Sequence, residues 1–199
     1  MSTKEIRSIA ARDAAPQLSD DGKTIVGYGA VFNSFSQDLG GFYEIIKPGA
    51  FDRALAAGAD VRGLVDHDAS RILGRTKSGT MKLSVDAKGL RYEITPPDTT
   101  TARDLMTSMK RGDVDGSSFA FSVAPNGDNW RAEGPKVIRE LTDVDLFDVS
   151  VVTYPAYLAS EASLRSLDKA KIDAGKASVD AYAAAIANAR LRLQLLEKE

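Results

Sequence analysis

Short apolar runs, broken by glycine, proline and polar turn signals, fill the chain as far as residue 158. Thr24 to Phe32 (TIVGYGAVF) is apolar and aromatic with two glycines, the pattern of a curved or barrel strand. Gly41 to Ile46 suits a second strand. Pro48-Gly49 opens a short helix over Ala50 to Ala57, closed near Gly58. Alternation from Val61 to His67 predicts another strand. Thr80 to Val85 and Leu90 to Thr95 flank Asp86-Ala87-Lys88-Gly89 as a hairpin, which Pro96-Pro97 ends. Thr101 to Arg111 has helical spacing, with Leu105 and Met109 on one face. Ser117 to Val123 is a strand, Asn126-Gly127 a turn, and Val137 to Leu141 and Leu146 to Thr153 complete the set. The expectation is a mainly β domain with helices, of class α+β: six to eight short strands and two short helices, as a small barrel or sandwich.

The pattern changes after Tyr154-Pro155-Ala156-Tyr157. Of 14 aromatic residues only Tyr182 lies beyond position 158, of 16 glycines only Gly175, and no proline. The stretch from Ala159 to Glu199 instead holds eleven alanines among Leu, Lys, Arg and Glu. Val179, Tyr182, Ile186, Ala189, Leu193 and Leu196 are spaced 3, 4, 3, 4, 3, an apolar seam of about two and a half heptads. This predicts a domain over 1–158 and a helical C-terminal extension over 159–199, whose seam packs either on its own domain or on a partner.

Composition narrows the chemistry. The 199 residues carry 26 basic and 28 acidic side chains, without the basic excess of a nucleic-acid binder. With no cysteine, disulfides, thiolate metal sites and cysteine nucleophiles are excluded. His67 is the one histidine, so chemistry that needs an imidazole must use it. No run approaches the ~18 apolar residues that span a bilayer, and the first fifteen residues lack a signal-peptide core, so the expected location is cytoplasmic.

Three segments could carry chemistry. In Leu64-Val65-Asp66-His67-Asp68 the histidine follows an apolar strand, and the flanking carboxylates would favour the imidazolium. Its candidate roles are a base, a structural residue, or, with Asp66 and Asp68, a weak metal site. In Gly112-Asp113-Val114-Asp115-Gly116-Ser117-Ser118-Phe119-Ala120-Phe121, alternation places Ser117 with Phe119, Phe121 and Val123 towards the core. Ser118 then faces the side of Ala120 and Ser122, where a substrate could approach. Ser118 is a candidate nucleophile, or both serines simply open the strand. In Asp143-Val144-Asp145-Leu146-Phe147-Asp148-Val149-Ser150, Asp148 interrupts an apolar run and needs a hydrogen-bond partner or a cation. A carboxylate that orients a histidine should be shielded, which favours Asp148 over Glu140; a salt bridge to an arginine is the competing role.

The ordered set of segments resembles the phage prohead protease family, the HK-ninety-seven-like capsid maturation serine proteases. The resemblance rests on Gly27-Tyr28-Gly29-Ala30-Val31-Phe32-Asn33, Ile46-Lys47-Pro48-Gly49-Ala50-Phe51, Asp66-His67-Asp68 with Leu73-Gly74-Arg75, and Gly89-Leu90. It continues through Gly116-Ser117-Ser118-Phe119-Ala120-Phe121 and ends in Val149-Ser150-Val151-Val152-Thr153-Tyr154-Pro155-Ala156-Tyr157, so it spans about residues 20 to 160. Ala120 stands where the motif often has another small residue, commonly glycine. The resemblance implies an assemblin-like fold, a small β-barrel surrounded by helices. It implies His67 as base and Ser118 as nucleophile, with Asp148 carried over as the third member. It implies the scaffolding segment of the major capsid protein, and the protease itself, as substrates inside assembling procapsids in the host cytoplasm. No cofactor, metal, nucleic acid or membrane is implied. Two other function classes stay open: a non-catalytic assembly protein acting through its C-terminal helix, and a carboxylate-metal hydrolase around Asp66 and Asp68.

Overall fold

The structure, a computed structural model, describes residues 4–9, 15–39, 41–134, 136–154 and 170–172. Its elements run β1 (Glu5–Ile9), β2 (Gln17–Leu18), β3 (Ile25–Val31), β4 (Tyr43–Ile46), α1 (Asp52–Ala56), β5 (Arg62–Val65), β6 (Asp68–Arg75), β7 (Met81–Val85), β8 (Gly89–Ile94), α2 (Thr100–Arg111), β9 (Gly116–Val123), β10 (Asp128–Glu133), β11 (Lys136–Leu141) and β12 (Val144–Val152). The mainly β, α+β expectation holds. The strands missing from it are β1, β2, β6 and β10, where polar residues leave no clear apolar alternation. The predicted extension over 159–199 lies outside the described residues except for 170–172, which are helical.

Hydrogen bonding sorts the strands into three sheets: β1-β9-β12-β5-β6, β10-β11-β4 and β2-β3-β8-β7. Among the described residues no ladder closes on itself, so the expected barrel is replaced by open sheets packed together. Ile25 and Ala30 of β3 and Leu90, Tyr92 and Ile94 of β8 share one core with Phe119 and Phe121 of β9 and Val149 and Val151 of β12. Phe119 stacks on Phe121 with centroids 5.0 Å apart and meets Phe51 edge-on at 5.7 Å. Gly27 has a packing reason: a Cβ there would lie 2.5 Å from the Tyr92 hydroxyl oxygen. Its absence lets that hydroxyl reach Ser117 Oγ, 2.8 Å away.

α2 begins at Thr99, whose side chain accepts from the Ala102 N–H, and ends at Gly112, whose φ of 81° is the left-handed stop that glycine favours. Leu105 of this helix is buried and Met109 packs against the core, as the spacing predicts. A smaller apolar cluster of Leu39, Phe42, Trp130 and Val137 holds the three-stranded sheet. Between that sheet and β1 lies a buried ionic network. Arg139 bonds Glu5 at 2.9 Å, Glu44 at 3.3 Å and Asp128 at 2.8 Å. Removing one partner from a buried network of this kind is costly, because it leaves an uncompensated charge.

Candidate active site

The five-stranded sheet sets the site by placing β9 and β12 side by side and antiparallel, with Ser150 opposite Ser118 and Asp148 opposite Ala120. On β9 the parity holds: Phe119 and Phe121 are in the core, Ser117 bonds Tyr92, and Ser118 faces the other way. On β12 simple parity would put Asp148 with Leu146 in the core. The register shifts between Leu146 and Asp148, so Phe147 bulges outward and the phase of the strand flips. Val149 and Val151 then fill the core, and Asp148 and Ser150 share the face of Ser118.

His67 arrives from a turn. Val65 pairs with Asp68, leaving Asp66 and His67 as a two-residue hairpin loop with φ of 50° and 57°. Both positive values belong to an I′-type turn, costly for non-glycine residues and sustained only by surrounding contacts. Those contacts come from β12. The Asp66 N–H donates to the Val151 carbonyl at 3.0 Å, the Thr153 N–H to Asp66 Oδ1 at 2.8 Å, and the His67 N–H to Ser150 Oγ at 3.3 Å. The turn is therefore pinned to the strand that carries Asp148.

Three side chains meet in series. His67 Nε2 is 2.6 Å from Ser118 Oγ, and Nδ1 is 2.5 Å from Asp148 Oδ1. With Nδ1–H donating to the carboxylate, Nε2 is free to accept the serine proton. Asp148 is 2% exposed. Burial alone would push its carboxyl up, but the hydrogen bond and charge of His67, and then Lys4, hold it below the usual carboxylate range. Lys4 Nζ is 3.0 Å from Asp148 Oδ2, and the Ser150 hydroxyl donates to Oδ1 at 3.1 Å. The carboxylate is thus fixed on both oxygens.

The other candidates lie elsewhere. Glu140 sits on β11, in a different sheet, with Arg131 Nε 3.2 Å away. The carboxylates flanking His67 are not its partners. Asp66 holds Thr153 and Arg71, and Asp68 accepts from Ser70 N–H and Oγ. Among the described residues no three His, Cys, Asp or Glu side chains converge as metal ligands. Ser118 itself corrects the expectation of an open face. It has no exposed surface, because β1 pairs along β9 with Ser8 opposite it. Sequence reasoning missed Ser150, Lys4 and β1. The polar run EIRSI gives no core pattern, and nothing local ties it to residues more than a hundred positions away.

Hydroxyl, imidazole and shielded carboxylate in series is the order on which serine-type hydrolases are built. A family model described as caudovirus prohead serine protease matches residues 9–174. The chain is also 31% identical over 170 residues to the prohead protease of Enterobacteria phage HK97, covering 82% of its own length and 70% of that relative's. No solved structure matches. The chain belongs to the caudovirus prohead serine proteases, and by family it is a serine protease of phage capsid maturation.

Proposed function

We propose that this protein is the endopeptidase that removes the scaffolding segment of the major capsid protein, and processes itself, within assembling procapsids. Ser118 is the nucleophile, His67 the base and Asp148 the carboxylate that orients it. The observation that carries this reading is the pair of contacts on one imidazole, 2.6 Å to Ser118 Oγ and 2.5 Å to Asp148 Oδ1.

The chemistry follows from that geometry. A serine hydroxyl attacks poorly until a base takes its proton. As Ser118 Oγ bonds to the scissile carbonyl carbon, its proton passes to His67 Nε2. Asp148 stabilises the imidazolium and keeps Nδ1 protonated. The imidazolium then gives its proton to the leaving amine as the C–N bond breaks. Water, deprotonated by the same nitrogen, hydrolyses the acyl-enzyme and frees Ser118.

Co-expression with the capsid protein tests the assignment. The wild-type chain should shorten the capsid protein by its scaffolding segment on a gel, and Ser118→Ala should leave it uncut. Co-assembly without cleavage by the wild type would favour a non-catalytic assembly role. Equal cleavage by both would place the nucleophile elsewhere.

A further inference from the structure

The N-terminal strand lies where a substrate would. β1 runs antiparallel to β9 with Ser8 opposite Ser118 and Arg7 opposite Phe119. Ser118 Oγ is 2.9 Å from the Arg7 carbonyl oxygen and 3.0 Å from Ser8 Oγ. The peptide bond from Arg7 to Ser8 is therefore the one presented to this hydroxyl. A hydroxyl has one proton, so Ser118 gives it either to the Arg7 carbonyl or to His67. Lys4 of the same segment holds the outer oxygen of Asp148. Nothing in the packing of an ordinary edge strand requires this coincidence with the serine, histidine and aspartate.

The side chain of Arg7 leaves β1 on the opposite face and enters an acidic recess. Its guanidinium lies 5.4 Å from the Phe121 ring centroid. Glu44 on β4 receives it with both oxygens, Nε to Oε1 at 2.7 Å and Nη2 to Oε2 at 3.0 Å, and both residues are buried. Such a two-pronged carboxylate is built for a fork-shaped cation. A cavity of about 70 Å³, bordered by Ser34, Ser36, Leu39, Glu44 and Ile46, continues beside Arg7 and Ser8. If β1 leaves, Glu44 and Asp128 remain with Arg139 between them, two carboxylates to one guanidinium. β1 takes Glu5 away together with Arg7, which it meets at 2.6 Å, so what Glu44 loses is its forked partner rather than net charge; an arriving basic side chain restores that pairing, and a neutral or acidic one does not.

We infer that the groove along β9 binds substrate as an added antiparallel strand, that β1 fills this groove in cis, and that Glu44 selects arginine or lysine immediately before the scissile bond. The inference rests on Ser118 being the nucleophile. Adding a strand to a sheet edge gives affinity through the main chain and selectivity through alternate side chains. Here Arg7 and Ser8 show which side chains the two faces accept. A substrate must displace β1, so the strand also holds the enzyme in check until a suitable peptide competes for its place.

The test uses the full chain and a quenched fluorescent peptide with the sequence of residues 4–9, Lys-Glu-Ile-Arg-Ser-Ile. Versions with Lys, Ala or Glu in place of the arginine are compared. The Arg and Lys peptides should be cut before the serine with kcat/KM roughly tenfold or more above the Ala peptide, and the Glu peptide below it. In Glu44→Gln the ratio of Arg to Ala peptide should fall towards one. Arg7→Ala, which loosens β1, should raise the rate at which a small fluorophosphonate labels Ser118. A wild-type protein that is labelled at Ser118 yet cuts the Arg and Ala peptides equally overturns the inference and leaves the nucleophile standing. A ratio unchanged in folded Glu44→Gln also overturns it. Absence of Ser118 labelling in every protein overturns the nucleophile assignment itself.

Discussion

Asp148 is held on both carboxylate oxygens, by His67 and Ser150 on one and Lys4 on the other. Its proposed work is to fix the tautomer of His67, so replacing the charge should cost more than replacing the shape. In Asp148→Asn the amide can turn its N–H towards Nδ1 and favour the tautomer that cannot accept the Ser118 proton. Peptide cleavage should drop on the order of 10²–10⁴-fold in kcat/KM. Glu140→Gln should stay near the wild-type rate, because Glu140 contacts Arg131 in another sheet. Equal rates in the two variants would remove Asp148 from the mechanism. Asp148 was legible as a candidate because a carboxylate inside an apolar run demands a partner. Shielding pointed to the histidine as its partner and left a salt bridge to an arginine as the competing role; the structure pairs it with His67 and Lys4, and spends Asp66 and Asp68 on Thr153, Arg71 and Ser70.

At the scale of elements, the site depends on one bulge, one turn and one edge strand. The β9 strand was readable because its alternation is regular. The bulge at Phe147 was not, since one extra residue leaves the composition of the run unchanged while flipping its phase. The hairpin turn at Asp66-His67 was hidden for a related reason: it lacks the glycine that marks such turns, and β12 sustains its left-handed backbone from outside. The strand β1 is held by charge. Burial pushes the Glu5 carboxyl up, but Arg139 and then Arg7 outweigh this and hold it below the ordinary carboxylate range. Asp148, which holds Lys4, is shifted in the same direction. A depressed carboxylate contributes stability that is present above the unfolded value, about pH 4, and is lost as pH falls through the folded one. The wild-type urea midpoint should therefore fall steeply below about pH 4. Glu5→Gln should start lower at neutral pH, by about 2 kcal/mol, and show a shallower acid slope. Parallel curves for the two proteins would show that this network does not hold the strand.

For the whole molecule, three open sheets around one main core bring together residues from four distant segments: Lys4 to Ser8, His67, Ser118 and Asp148 to Ser150. The mainly β class was legible because glycine, proline and short apolar runs punctuate the chain. Sheet partition was not, since alternation tells which face is buried but not which strand lies beside it. Of the strands without such alternation, β1 is held by charge pairs and its pairing with β9, and β10 by its pairing with β11 and by Trp130 packing on Phe42. This assembly is proposed to activate one serine of an adjacent pair. The most direct measurement is to label the purified full chain with a fluorophosphonate and map the adduct by tandem mass spectrometry. The expected adduct is on Ser118, persists in Ser117→Ala and is lost in a folded His67→Ala protein. An adduct on Ser117, or undiminished labelling of Ser118 without His67, would contradict that proposal.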